Sequence, residues 1–314
     1  MARDIRFGVV TAWPEDDWHS RRLLDACGRR GEVATIDPAE LTARVTDDGI
    51  VVGARDAPIE ACDAFLLVRG MGRGGDADVQ FEVYRALEAG GAVMVNRIDA
   101  LLAAQDKFRS SWLLRRAGVP TPAAAVAQTP ADADRALSAL GAAVAKPIAG
   151  SLGDGVVLVR DDDAGRAAVR ERVERDGAVY LQAYVPHPGR DVRAFVVAGR
   201  VEAAIERRAP PGDWRTNIGG GGVAVTCACG PELRQVAEAA ARAIGLDYAG
   251  VDLVAGPEGP TVLEVNGNPS WKGILEATGL DMAEPIAEHV LGRALRRRGT
   301  SDHIVRERTG ATHG

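Results

Sequence analysis

Ala249-Gly250-Val251-Asp252-Leu253-Val254 is followed by Gly256-Pro257-Glu258-Gly259-Pro260 and then by Thr261-Val262-Leu263-Glu264-Val265-Asn266-Gly267-Asn268-Pro269. Two short apolar runs joined by a Gly/Pro-rich turn read as a β-hairpin. Side chains alternate along a strand, so Glu264 and Asn266 share a face, and Asp252 on the partner run can be presented to it. Two carboxylates and a carboxamide on one patch repel one another unless a hard cation sits between them. Mg²⁺ takes such oxygen ligands together with nucleotide phosphates. The bland alternative is a hairpin rimmed by solvated acids. It is weakened because Val251, Leu253, Leu263 and Val265 alternate with the polar set and are expected in the core.

Of 314 residues, 46% are hydrophobic and 26% charged, which suits two or three globular domains with sizeable cores. The net charge of −6 offers no nucleic-acid surface. Apolar stretches are short and broken by charge, so neither a membrane span nor a signal peptide is expected. Cys27, Cys62, Cys227 and Cys229 are scattered, and Cys227 and Cys229 are too close for a zinc knuckle. Free thiols in a reducing cytoplasm are the expectation.

Working outward, residues 5–10 read as a strand, 17–29 as a helix, 33–36 as a strand, 43–56 as a small hairpin, 64–68 as a strand, 79–89 as a helix and 92–95 as a strand. That alternation implies a mostly parallel α/β sheet. Residues 11–17 carry no glycine fingerprint, which argues against a Rossmann dinucleotide site. The loop Arg69-Gly70-Met71-Gly72-Arg73-Gly74-Gly75 reads equally as an anion-approaching loop or as a plain mobile one. A new unit starts at 96–104, with a helix at 107–117. Residues 123–185 then read strand, helix, strand, strand, helix, strand. A glycine-rich turn, Gly150-Ser151-Leu152-Gly153-Asp154-Gly155, joins the two middle strands. Its backbone N–H groups can close around phosphate oxygens, and Lys146 can add a point charge. It is not a Walker A loop, because the lysine precedes the glycines. Strands at 194–197 and 201–205, a glycine-rich stretch at 212–222 and helices at 231–244 and 281–298 complete the chain. Three arginines near four consecutive glycines suggest a second anion site, against the alternative of a surface loop with solvated arginines.

From about Asn96 to Gly292 the chain resembles the ATP-grasp ligases, most closely the RimK-type branch. The resemblance is carried by Ala104-Gln105-Asp106-Lys107, Lys146 with the 150–155 loop, Gln182-Ala183-Tyr184-Val185 and Asp191-Val192-Arg193. Further matches are Ala204-Ile205-Glu206-Arg207-Arg208, Trp214-Arg215-Thr216-Asn217, Gly250-Val251-Asp252 and Glu264-Val265-Asn266. It implies an ATP-grasp fold of two α+β subdomains gripping ATP, preceded by an N-terminal parallel α/β domain. The expected boundaries are 1–97, 98–187 and 188–298, with 299–314 as a disordered tail. It implies that Lys107, Lys146, Gly150, Ser151, Gly153 and Gly155 hold the nucleotide phosphates. Gln182, Ala183, Tyr184 and Val185 would contact adenine and Asp191 the ribose. Asp252, Glu264 and Asn266 would ligate two Mg²⁺ ions, with Mn²⁺ able to substitute. Arg193, Arg208 and Arg215 would neutralise the phosphoryl group and substrate carboxylate, with Asn217 near the γ-phosphate. One departure is Ala183, where the family usually has glutamate.

The chemistry so implied is attack of a carboxylate on the γ-phosphate, then of an amine on the acyl phosphate, giving an amide, ADP and phosphate. The amine is expected to be glutamate or a similar amino acid, and the acceptor a small coenzyme carboxylate. Alternatives are a ligase acting on a protein or carrier protein, and a nucleotide-binding relic without activity. Trp271 is expected to fill the core or to stack on a flat substrate ring. A cytoplasmic homo-oligomer, dimer or tetramer, is expected. Pro210-Pro211 should pin Arg208 so that it and Arg215 grip the site from two sides.

Overall fold

A computed structural model of the chain describes residues 4–47, 49–55, 59–147, 155–216, 221–256 and 259–310. The chain divides into two compact units. One is built from the segment ending at Ile98 and again from Asp281 onward, the other from Asp99–Leu280.

The first unit contains β1 (Arg6–Thr11), α1 (Trp18–Gly28), β2 (Glu32–Ile36), the hairpin β3 (Thr42–Thr46) and β4 (Gly49–Gly53), then β5 (Ala64–Arg69), α2 (Ala77–Ala89) and β6 (Val93–Val95). β1, β2, β5 and β6 form a parallel sheet in the order β2-β1-β5-β6. The near-continuous apolar runs of β1 and β5 are what a strand buried on both faces requires. Asp17 caps α1 by accepting from Ser20 N at 2.7 Å. Arg69, the last residue of β5, meets His19 of α1 at 3.2 Å, and Arg73 in the loop that follows lies 4.6 Å over the Trp13 ring. Both arginines are therefore engaged, Arg69 by α1 and Arg73 by the loop that follows β1.

The final helix, Ala283–Gly310, differs from the expectation in two ways. It belongs to the first unit rather than to a domain spanning 188–298, and residues 299–310 continue it instead of forming a tail. Ala283, Ile286, Ala287, Val290 and Ala294 give it a buried stripe at three- and four-residue spacing. Arg30, just past the end of α1, donates to Glu284 at 2.9 Å and Arg22 of α1 to Asp281 at 2.6 Å, which fixes its register on α1.

In the second unit α3 (Ile98–Gln105) leads into α4 (Lys107–Arg116), capped by Asp106. Then come β7 (Ala124–Ala127), α5 (Pro130–Leu140), β8 (Ala142–Lys146), β9 (Val157–Arg160), α6 (Asp163–Asp176) and β10 (Val179–Ala183). The four strands are antiparallel in the order β7-β10-β8-β9. Ala133 and Leu137 of α5 and Val169 and Val173 of α6 bury against Ala143, Ala145 and Leu181.

A second antiparallel sheet, in the order β13-β12-β11-β14-β15, is built from β11 (Arg190–Val197), β12 (Arg200–Arg208), β13 (Val223–Thr226), β14 (Tyr248–Gly256) and β15 (Gly259–Asn266). α7 (Pro231–Ile244) buries Ala237, Ala240, Ala241 and Ile244 against it, their short side chains letting the helix approach closely. The hairpin of β14 and β15 forms as expected, with one change. A bulge between Asp252 and Leu253 pairs Leu253 with Val262 and leaves Leu263 as the extra residue. Val262 rather than Leu263 therefore enters the core. Trp271, just before α8 (Lys272–Thr278), is 1% exposed and lies edge-on to Phe195, so it fills the core.

Gly250 is required by close approach. A Cβ there would lie 2.7 Å from Pro269 Cβ and 3.2 Å from Arg193 Cδ. Gly250→Ala is expected to destabilise the fold by about 1–3 kcal/mol, as overpacking does. A urea melt measures this, and an unchanged midpoint would refute the contact.

Candidate active site

The register of the second sheet places the polar set on one face. Arg193 pairs with Asp252 across β11 and β14, and Asp252 with Glu264 across β14 and β15. Asn266 lies two residues beyond Glu264 on the same face and donates weakly to Gly250 O at 3.4 Å. One pair further along the sheet, Asp191 stands opposite Arg207.

These charges are joined in one buried network. Arg207 donates through Nε to Asp191 Oδ1 at 2.8 Å and through Nη2 to Asp191 Oδ2 at 2.5 Å. The same Nη2 lies 3.0 Å from Asp252 Oδ2. Arg193 adds a bidentate pair to Asp252, its Nη2 at 2.7 Å from Oδ2 and its Nε on Oδ1. Burial opposes ionisation of Asp252, but the Arg193 and Arg207 guanidinium groups outweigh it and hold the carboxyl below its ordinary range. Burial likewise works against charge on Arg207, and Asp252 and Asp191 more than compensate.

Arg208 does not reach this face. Residues alternate along β12, so Arg207 points inward while Arg208 shares the outer face with Glu206, to which its Nε donates at 2.6 Å. Arg215 is also outward and pairs with Asp213 at 2.8 Å, holding that carboxyl at about 2. Arg207 is the residue missed. The signal for it was present in part, since the buried positions Ala203 and Ile205 have its parity. Asp191 is 6% exposed with both oxygens engaged, which leaves its carboxylate bound to protein rather than open to a ribose.

Beside this network lies a narrow cleft lined by Lys107, Ser111, Lys146, Tyr180, Leu263 and Glu264. Lys146 Nζ donates to Gln182 Oε1 at 2.8 Å, and Gln182 Nε2 to Leu263 O at 3.1 Å, so Gln182 ties β10 to β15. Gln182 is 2% exposed and its side chain serves this tie. Ser111 Oγ and Tyr180 OH lie 2.8 Å apart, and burial pushes the Tyr180 hydroxyl up to about 12. Burial lowers the Lys146 pKa; Glu264 and Asp252 oppose that, and the ammonium of Lys107 reinforces it. Two ammonium groups placed this close suit a polyanion. An anion between them restores the proton affinity of Lys146, so ADP binding at alkaline pH is expected to take up protons. Calorimetry in buffers of different ionisation heat reads this directly, and proton-neutral binding would contradict it. By linkage, stability rises with pH above the lowered Lys146 pKa until the unfolded value is passed.

The remaining expected residues are partly placed. Gly155 has φ +69°, which favours glycine, and its carbonyl accepts from the buried Arg172 Nη2 at 2.5 Å. Ala183 ends β10, and Tyr184 N donates to Ala142 O at 2.9 Å. Tyr184 is half-buried and edge-on to Trp214, with ring centroids 6.0 Å apart, and Val185 is half-buried beside it. Gly150, Ser151, Gly153 and Asn217 lie outside the described residues.

Among the described residues no three His, Cys, Asp or Glu side chains form a metal cluster by themselves. The oxygen set of Glu264, Asn266 and Asp252 nevertheless fits a hard cation, with the carboxamide as third donor. Asp252 can join it only as its arginine contacts rearrange.

The RimK-like ATP-grasp domain matches residues 104–290. The chain belongs to the RimK-like ATP-grasp family. ATP-grasp ligases use ATP and Mg²⁺. This ATP-grasp chain is 34% identical over 320 residues to the tetrahydromethanopterin:alpha-L-glutamate ligase of Methanosarcina acetivorans, covering 91% of itself and 98% of that relative. It is 35% identical over 279 residues to a probable alpha-L-glutamate ligase of Stenotrophomonas maltophilia, covering 87% and 94%. In fold it is similar to the ATP-grasp ligase PsnB complexed with a phosphomimetic variant of its minimal precursor, Mg and ADP, with a TM-score of 0.70 at 23% identity, covering 92% and 98%. It is also similar to the RimK domain ATP-grasp protein of Sphaerobacter thermophilus, with a TM-score of 0.66 at 24% identity, covering 91% and 99%. No helix among the described residues is long and apolar enough to cross a membrane.

Proposed function

We propose that this ATP-grasp ligase joins glutamate to the carboxylate of a small coenzyme-like acceptor, releasing ADP and phosphate. The observation that carries the reading is the pair of ammonium groups, Lys107 and Lys146, against the acidic face of Glu264 and Asp252. That juxtaposition suits a polyphosphate above a cation site. The glutamate and the acceptor class are supported by likeness to the tetrahydromethanopterin:alpha-L-glutamate ligase.

In this reading Lys107 and Lys146 bind the phosphates. Mg²⁺ held by Glu264, Asn266 and Asp252, as one or two ions, supplies charge neutralisation when bound. Arg193 and Arg207 orient the acceptor carboxylate and the transferring phosphoryl group. The acceptor oxygen takes the γ-phosphoryl group from ATP with ADP as the leaving group, and the glutamate amine then displaces phosphate from the acyl carbon as its proton departs. No protein nucleophile is needed. The low dielectric around Asp191 and Arg207 strengthens each contact to the developing charge. A cytoplasmic dimer or tetramer completes the proposal.

The test is ADP release from the purified protein across a panel of amino acids and candidate acids, with mass spectrometry of the product. A mass gain of one glutamate on a small acid is the expected result. Release with no amide product under any pair would refute ligation.

A further inference from the structure

Thr216 is 8% exposed and its Oγ1 donates to Asp191 Oδ2 at 2.7 Å. That oxygen also accepts from Arg207 Nη2, whose other contact is Asp252 Oδ2. A hydroxyl, a carboxylate, a guanidinium and a second carboxylate are thus joined in series. The hydroxyl end lies on the segment that precedes the glycine-rich 219–222 stretch. Two further contacts hold that segment: Asp213 N donates to Pro210 O at 3.1 Å, and Trp214 meets Tyr184 of the strand end after β10.

We infer that Thr216 is a positioning residue that makes the alignment of Arg207 on Asp252 conditional on docking of the 213–216 segment. Asp191 accepts two bonds from one guanidinium, and a pair so held can still shift as a unit when the two side chains move together. The third donor removes that freedom, because Thr216 approaches from a different chain segment than Arg207. With the segment displaced, Asp191 Oδ2 loses a donor, and the Asp191–Arg207 pair is left free to shift relative to Asp252. The network then reads segment docking as a change in where positive charge sits over Asp252. The inference rests on the ligase reading for its consequence in turnover, but its geometry is testable without turnover.

The experiment uses full-length protein labelled with ¹⁵N-arginine, with the Arg207 Nε–H resonance assigned by its loss in Arg207→Lys. Thr216→Val keeps the shape of threonine and deletes the donor. It is expected to speed solvent exchange of that Nε–H by roughly tenfold, the scale of one lost charge-assisted hydrogen bond. Thr216→Ser should keep exchange within about twofold of wild type. In steady-state ADP release, Thr216→Val should lower kcat by about tenfold with KM for ATP within about twofold, because the contact acts through Arg207. Unchanged Nε–H exchange in Thr216→Val overturns the inference. So does a lost melting temperature with kcat unchanged, which would make Thr216 structural only. If exchange responds as expected but no acid and amino acid pair supports ADP release, the positioning role stands and the ligase reading fails.

Discussion

Arg207→Lys is expected to cut ADP release by roughly a hundredfold or more, the scale seen when one preorganised donor is removed from a charged active site. Arg207 reaches Asp191 through two nitrogens and Asp252 through one of them, a geometry that a single ammonium group cannot copy. Arg207→Met should go further and destabilise the second unit by about 3–5 kcal/mol, because two carboxylates would then be left buried with one partner fewer. The control is Arg208→Lys. Its exposed pairing with Glu206 should be worth less than about 1 kcal/mol, with turnover unchanged. Steady-state kinetics and urea melts of the three variants measure both quantities. Full turnover by Arg207→Lys, or an equal loss in Arg208→Lys, would return the active arginine to the outer face of β12.

The second large effect is expected at Glu264. Glu264→Gln keeps the shape of the side chain and removes the charge that faces both the cation site and Lys146. Losing an anionic oxygen ligand to a hard cation should lower kcat by on the order of a hundredfold at saturating Mg²⁺. Stability should change little, because Glu264 is half-buried at the cleft rather than packed in the core. Asn266→Asp is expected to suppress turnover as well, by adding a third negative charge to the patch. Near-wild-type ADP release by Glu264→Gln would remove the metal role from this face.

The hairpin that carries Asp252 and Glu264 was legible because two local patterns agree: alternation of apolar and polar residues, and a Gly/Pro-rich turn between them. The order strand, helix, strand, strand, helix, strand over 123–185 was legible for the same reason, since each period changes between 2 and 3.6 residues. The misreading of Arg208 has a specific source. A strand ending at Ile205 assigns no face to the next three residues, and the prolines at 210 and 211 do not supply one. Once β12 is known to run through Arg208, parity alone selects Arg207. The bulge at Leu263 could not be read in this way, because one extra residue shifts every later side chain by one face and leaves no mark in composition.

By itself the sequence determined the element types, the RimK-like resemblance, and the residues whose chemistry suits phosphates and a cation: Lys107, Lys146, Asp252, Glu264 and Asn266. The element types, Lys146 and the hairpin set follow from local periodicity and residue type, which are properties of short stretches, whereas Lys107 is implied by the resemblance alone. The tertiary structure decided which charges meet. Asp191, Arg207 and Thr216 lie on different strands and a loop, and only the pairing of β11 with β12 and the path of the segment after β12 bring them within hydrogen-bond reach. It also decided that the final helix joins the first unit, where Glu284 meets Arg29 and Arg30 just after α1 across a long sequence separation. Contacts of that kind depend on the register between elements, which no single stretch of sequence contains.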